Sequence, residues 1–144
     1  MGKATMGRVT IAARIENVVD LLQLKAGTIG PDQVRSIEVD DALVNTGSKL
    51  LSLPKRFIRQ LGLEYFETRK SKTAAGIVRT KIYRAVWLTV EGRQCTVDVA
   101  EVPNDCPVLL GYVPFELLDL AVDPVRERLI LLPAEGGPRV LDLF

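Results

Sequence analysis

A chain of 144 residues that is 47% hydrophobic suffices for one domain with its own core and gives no reason for a second. Its 19 Lys and Arg nearly cancel 18 Asp and Glu, so no global field selects nucleic acid or a basic partner, and partner choice must come from a local site. With no histidine, a Cys/His zinc site, a Ser-His-Asp triad and a Cys-His pair are all excluded, which leaves carboxylates as the obvious acid and base groups.

Residues 1–7 carry no apolar signal core and read as a flexible start. No apolar run approaches the ~18 residues of a membrane span, so a soluble, cytoplasmic protein without a membrane partner is expected. Residues 8–15 alternate as a first strand, with Val9, Ile11, Ala13 and Ile15 on one face. Residues 16–32 mix an apolar patch (Val18, Val19, Leu21, Leu22, Leu24) with Gly27, Gly30 and Pro31, and read as an irregular excursion or hairpin inserted at the surface. A second strand over 34–44 puts Ile37 and Val39 inward, then turns continuously apolar as it enters the polar turn Asn45-Thr46-Gly47-Ser48.

Beyond that turn, Pro54 at a first helical position, Phe57, Ile58 and Leu61 at helical spacing and Gly62 past the end predict a short helix. Strands over 63–72 and 77–90 flank a small, pliable tip at 71–76, and Glu91-Gly92 turns into a third strand where Cys95, Val97 and Val99 alternate inward. A second short helix at 114–119 precedes closing strands at 120–123 and 129–132 around Asp123-Pro124. Residues 133–144 read as a tail whose apolar end, Val140 to Phe144, pairs with a neighbour or docks as an arm. Cys95 and Cys106 lack metal spacing and read as buried or half-buried thiols.

The stretch Leu43-Val44-Asn45-Thr46-Gly47-Ser48 resembles the Asp-Thr-Gly-Ser/Ala signature of retropepsin-like aspartic proteases, with Asn45 where the catalytic aspartate stands. Val108-Leu109-Leu110-Gly111 is similar to that family's pair of hydrophobics followed by glycine, again with a short helix after it. The resemblance covers roughly residues 8–132 and rests on two short motifs in the right order. It implies an all-β fold, a small closed barrel of acid-protease type with one or two short helices, working as a homodimer. It further implies an endopeptidase without metal or organic cofactor, acting on extended peptide and binding no nucleic acid.

By the same resemblance, position 45 supplies one half of a water-activating dyad, and Thr46 hydrogen-bonds across the dimer axis. Gly47 lets the backbone approach, Ser48 donates to the side chain at 45, and Leu109, Leu110 and Gly111 support the turn from below. Ala74, Ala75, Gly76, Ile77 and Val78 form a substrate-covering flap within about residues 71–79. An asparagine matches the carboxylate in size but has no proton affinity near neutral pH, so the chain as written is expected to be inactive, as an engineered exchange or a natural pseudoprotease.

Two other readings use different residues. A non-catalytic peptide-binding barrel needs only Asn and Gly as turn formers. The 51–63 stretch is also similar to swapped-hairpin DNA-binding regulators, with Lys55, Arg56 and Arg59 as phosphate contacts. Arg69, Lys70, Lys72, Arg79, Lys81 and Arg84 form a basic cluster around the flap that suits a solvated face or an acidic peptide. Tyr83 and Trp87 suit cross-strand pairs or a pocket lining. Asp41, Asp98, Asp105, Asp119 and Asp123 are rejected as substitute carboxylates, because none sits in a glycine-containing turn after an apolar strand.

Overall fold

Alternation in the first strand is realised in the computed structural model, which describes residues 9–133: Ile11, Ala13 and Ile15 of β1 (Thr10–Asn17) are buried. β1 pairs antiparallel with β2 (Ser36–Val44), where Ile15 meets Ile37. Between Ile11 and Ala13 the register slips, so that Ala12 faces both Asp40 and Asp41. This bulge leaves both carboxylates in water and resets the alternation, so that Ala42 and Val44 point inward after Ile37.

Residues 16–32 do not form the expected irregular excursion or hairpin. β1 runs on to Asn17, whose side-chain oxygen accepts from the Asp20 amide at 3.0 Å and caps the helix α1 (Val18–Lys25); a 3-10 turn follows at Pro31–Gln33. The pattern misleads because the buried face is mixed: Asp20 is buried while Val19 and Leu22 are exposed, and Val18, Leu21 and Leu24 are only half-buried. Asp20 is held by Arg35, whose guanidinium donates to both carboxylate oxygens at 2.9 Å and whose backbone amide adds a third bond at 3.0 Å. Those donors hold its pKa below the usual carboxylate range against the opposing effect of burial.

Pro54 ends β3 (Leu51–Pro54) and stands one residue ahead of α2 (Lys55–Leu61), so it caps that helix where the first helical position was expected. Ile58 and Leu61 are buried, and Gly62 takes the left-handed conformation, φ 65°, that stops the helix. β4 (Glu64–Thr73) and β5 (Gly76–Val90) form one long hairpin whose turn is only Ala74-Ala75, tighter than the 71–76 tip. Glu91 and Gly92, both at positive φ, connect β5 to β6 (Arg93–Val102) with the turn chirality that suits a twisted hairpin. Cys95 is buried on β6, which pushes its thiol up to about 11, and Cys106 is half-buried; both are free.

β7 (Leu109–Leu110) leads into α3 (Tyr112–Leu117), which begins two residues before the expected 114. β8 (Leu120–Asp123) and β9 (Arg128–Leu131) make a separate hairpin, as expected from the Asp123-Pro124 turn. The main sheet runs β1-β2-β7-β3-β6-β5-β4, and β1 also pairs with β5, Ile15 opposite Leu88. Six strands thus close a ring, with β4 attached outside it to β5.

The described residues are mostly β, with three short α-helices among them where one or two were expected. Ile15, Leu51, Leu53, Val86, Leu88, Val99 and Leu110 fill the core with essentially no exposure, each contributing about 1.5–3 kcal/mol. No helix among the described residues is long and apolar enough to cross a membrane. The flexible start at 1–7 and the apolar tail from Val140 to Phe144 lie outside the described residues.

Candidate functional site

The turn after β2 is fixed by its own polar groups. The Asn45 amide donates to the Leu110 carbonyl at 2.9 Å, its carbonyl accepts from the Ser48 amide at 3.0 Å, and its side-chain Oδ1 accepts from the Gly47 amide at 3.1 Å. That last bond is an Asx turn, so the carboxamide orients the loop that presents it. Asn45 and Ser48 are half-buried, whereas Thr46 and Gly47 are exposed at the tip. The bond to Oδ1 comes from the Gly47 amide and not from the Ser48 hydroxyl, and among the described residues the Thr46 hydroxyl has no partner. A Cβ at Gly47 would meet only Asn45 Oδ1, at 3.4 Å, so within one chain the backbone approach expected of this glycine is not close.

Leu109, Leu110 and Gly111 do come together with the turn. β7 lies between β2 and β3: Leu109 pairs with Leu43 in parallel and with Ser52 in antiparallel, and Leu110 pairs with Val44 and Leu51. Immediately afterwards the amides of Gly111, Tyr112 and Val113 donate to the carbonyls of Leu50, Ser48 and Lys49 at 2.9–3.0 Å. A Cβ on Gly111 would stand 2.5 Å from the Leu50 oxygen and 2.6 Å from that of Ser48, so only glycine allows this approach. The start of α3 therefore buttresses the outgoing limb of the 45–48 turn, while Leu110 holds its incoming limb.

Two cavities flank the turn. One, of about 510 Å³, is walled by Val9, Val44 and Asn45 to Gly47 on one side and by Val122, Pro124 and Glu127 on the other. Sequence reasoning did not anticipate the wall from the β8–β9 turn, and only the left-handed backbone of Glu127, φ 52°, marks it locally. The other cavity, of about 380 Å³, lies between the Ser48, Lys49 and Leu50 limb and the stem of the β4–β5 hairpin at Arg69, Ser71 and Thr80. The flap residues Ala74 to Val78 sit at the hairpin tip, with Ile77 and Val78 exposed, and line neither cavity. The hairpin approaches the motif with its stem and not its tip.

The remaining candidates are placed elsewhere. Tyr83 lies opposite Val99 and donates its hydroxyl to Glu101 at 2.8 Å, while its ring meets Tyr65 edge-on across the strands at 6.0 Å. Burial, with help from the Glu101 carboxylate, raises its pKa. Trp87 is half-buried between Glu16 and Thr96, and neither aromatic lines the cavities beside the turn. On α2, Arg56 is engaged with Asn104, whose side-chain oxygen accepts from the Arg56 amide at 2.8 Å, and it stacks on Phe57. β3 is paired on both sides within the chain. Compared with protein-family models and with curated proteins, the sequence finds no match.

Proposed function

We propose that this chain carries the half-site of a retropepsin-type aspartic endopeptidase on a small barrel that pairs as a homodimer, and that Asn45 makes it bind extended peptides without cutting them. The observation that carries the reading is the cradle of the 45–48 turn: an Asx-bonded Asn-Thr-Gly tip beside a 510 Å³ cavity, pinned by Leu110 on one limb and by the close-packed Gly111 on the other. Nothing in an ordinary polar turn calls for that distant, shape-specific support.

In such a dimer two residues at position 45 face each other across an isologous interface. Two aspartates about 3 Å apart share one proton: one takes the proton of a water as it attacks the scissile carbonyl, and the other hydrogen-bonds the carbonyl oxygen. The carboxamide of Asn45 occupies the same volume and donates hydrogen bonds but takes no proton, so binding survives where water activation fails. An engineered exchange and a natural pseudoprotease predict the same chemistry. The DNA-binding alternative has less support, since Arg56 is committed to Asn104 and β3 to its neighbours in the same sheet.

The test is cleavage of a mixed peptide library over about pH 4 to 7 by this chain and by Asn45→Asp purified side by side. Cutting by the aspartate form alone establishes the half-site. If neither form cuts although both are folded dimers, the catalytic ancestry of the site is rejected and a purely peptide-binding module takes its place.

A further inference from the structure

The β4–β5 ribbon has two chemically different faces. Pairing puts Thr68 opposite Lys81, Lys70 opposite Arg79 and Lys72 opposite Ile77, and directly opposed residues share a face. The alternate set, Glu67 with Ile82, Arg69 with Thr80 and Ser71 with Val78, turns toward the ring: Ile82 is buried, and Arg69, Ser71 and Thr80 wall the cavity beside Ser48, which Lys70 also lines. Lys70, Lys72, Arg79 and Lys81 therefore share the outward face, and all four are exposed.

Among the described residues these four cations make no ion pair or side-chain hydrogen bond, whereas Arg69 pairs with Glu67, Arg84 with Asp98 and Arg35 with Asp20. Lys70 and Arg79 repel each other directly across the strands, which an interposed carboxylate relieves. In addition, β4 is the last strand of its sheet, so among the described residues its outer backbone edge is unpaired.

We propose that this outward face and the free edge of β4 form a docking surface for an extended acidic peptide, added as a strand beside β4 with Asp or Glu at alternate positions. Side chains of a strand return to the same face every ~6.6–6.8 Å, so successive acidic residues meet Lys70 and then Lys72, with Arg79 and Lys81 one strand behind. Exposed Ile77 adds an apolar contact beside Lys72. Edge lysines also hinder pairing with neutral or basic strands, which sharpens the selection.

A nucleic acid fits less well, because it makes no use of a strand edge and the net charge of +1 gives no broad attractive field. The exposed rings nearby are also engaged, Tyr65 against Tyr83 and Phe66 under the Arg84 guanidinium. None of these four cations lines the cavity at Asn45, and only Lys70 also reaches the cavity between Ser48 and the hairpin stem.

The experiment is fluorescence anisotropy of a labelled nine-residue peptide alternating Glu with Thr or Val, titrated with the full chain. Binding is expected to weaken about tenfold or more in Lys70→Glu/Lys72→Glu, and that variant is expected to bind the matching Lys-alternating peptide instead. N-methylation of the peptide backbone on its pairing edge is expected to weaken binding to the original chain. All four side chains are exposed, so near-UV circular dichroism should show intact folds. Affinity unmoved by charge reversal overturns the proposal, as does tighter binding of an oligothymidylate together with indifference to N-methylation.

Discussion

The amide of Gly111 donates to the Leu50 carbonyl at 3.0 Å, and a Cβ at Gly111 would stand 2.5 Å from that same oxygen. Backbone, and not a pliable side chain, occupies the space, so Gly111→Ala must push α3 away from the outgoing limb of the 45–48 turn. A loss of about 1–3 kcal/mol is expected, read as a lower urea midpoint at constant m. Gly47→Ala is the contrast: its Cβ meets only Asn45 Oδ1 at 3.4 Å and no positive φ is involved, so stability should stay within about 0.5 kcal/mol. If both substitutions behave alike, the buttress does not hold the turn.

Asn17 joins two helices that the sequence does not visibly connect. Its oxygen caps α1 at the Asp20 amide, and its Nδ2 donates to the Leu61 carbonyl at 2.7 Å, at the end of α2. The residue is buried, so Asn17→Ala removes a cap and leaves a buried carbonyl without its donor, for about 2 kcal/mol in all. Asn17→Ser keeps a cap acceptor but does not reach Leu61, and should recover about 1 kcal/mol of that. Thermal unfolding of the three forms checks the order.

Asp20 gives the fold an acid-sensitive latch. Hydrogen bonds from Arg35 hold its folded pKa below the unfolded value of about 3.9, so the latch contributes fully above that value. Its contribution is lost as pH falls from there through the folded pKa. Asp20→Asn should therefore lower stability near neutral pH and flatten its decline below about pH 4, the effect being tempered because Arg35 is half exposed. Gly62→Ala should reproduce part of this, since its Cβ would stand 1.9 Å from Arg35 Nη1. Urea midpoints measured from about pH 3 to 7 test the slope; an unchanged slope in Asp20→Asn would remove the latch.

Strands were legible wherever one face is wet and the other dry: Ile11, Ala13 and Ile15, or Cys95, Val97 and Val99, alternate because each side chain meets only one environment. Helix α1 was not legible, because Asp20 is buried for Arg35 while Val19 and Leu22 are exposed, so these three positions blur the one-sided apolar stripe that periodicity relies on. The closure of β1 on β5 and the insertion of two-residue β7 between β2 and β3 are long-range pairings without a local signature. For the site, Asn45 to Gly47 and Leu109 to Gly111 were found by resemblance and lie together. The wall at Glu127 was missed because a turn far along the chain carries no mark of what it will face.

Asn45 Oδ1 already accepts the Gly47 amide, so Asn45→Asp keeps that bond and should fold normally. Two carboxylates brought about 3 Å apart hold a shared proton, so one of them has a higher pKa in the dimer than in the monomer. The aspartate dimer is then tightest in acid and weakens as pH rises through that raised pKa. Asparagine does not titrate, so from residue 45 the original chain should show no such trend over about pH 4 to 7. Sedimentation velocity of both forms at each pH reads the difference: a dissociation constant that climbs with pH only in the aspartate form means that the two residues at position 45 meet across the axis. Parallel curves mean that they do not, and the half-site then has no second half.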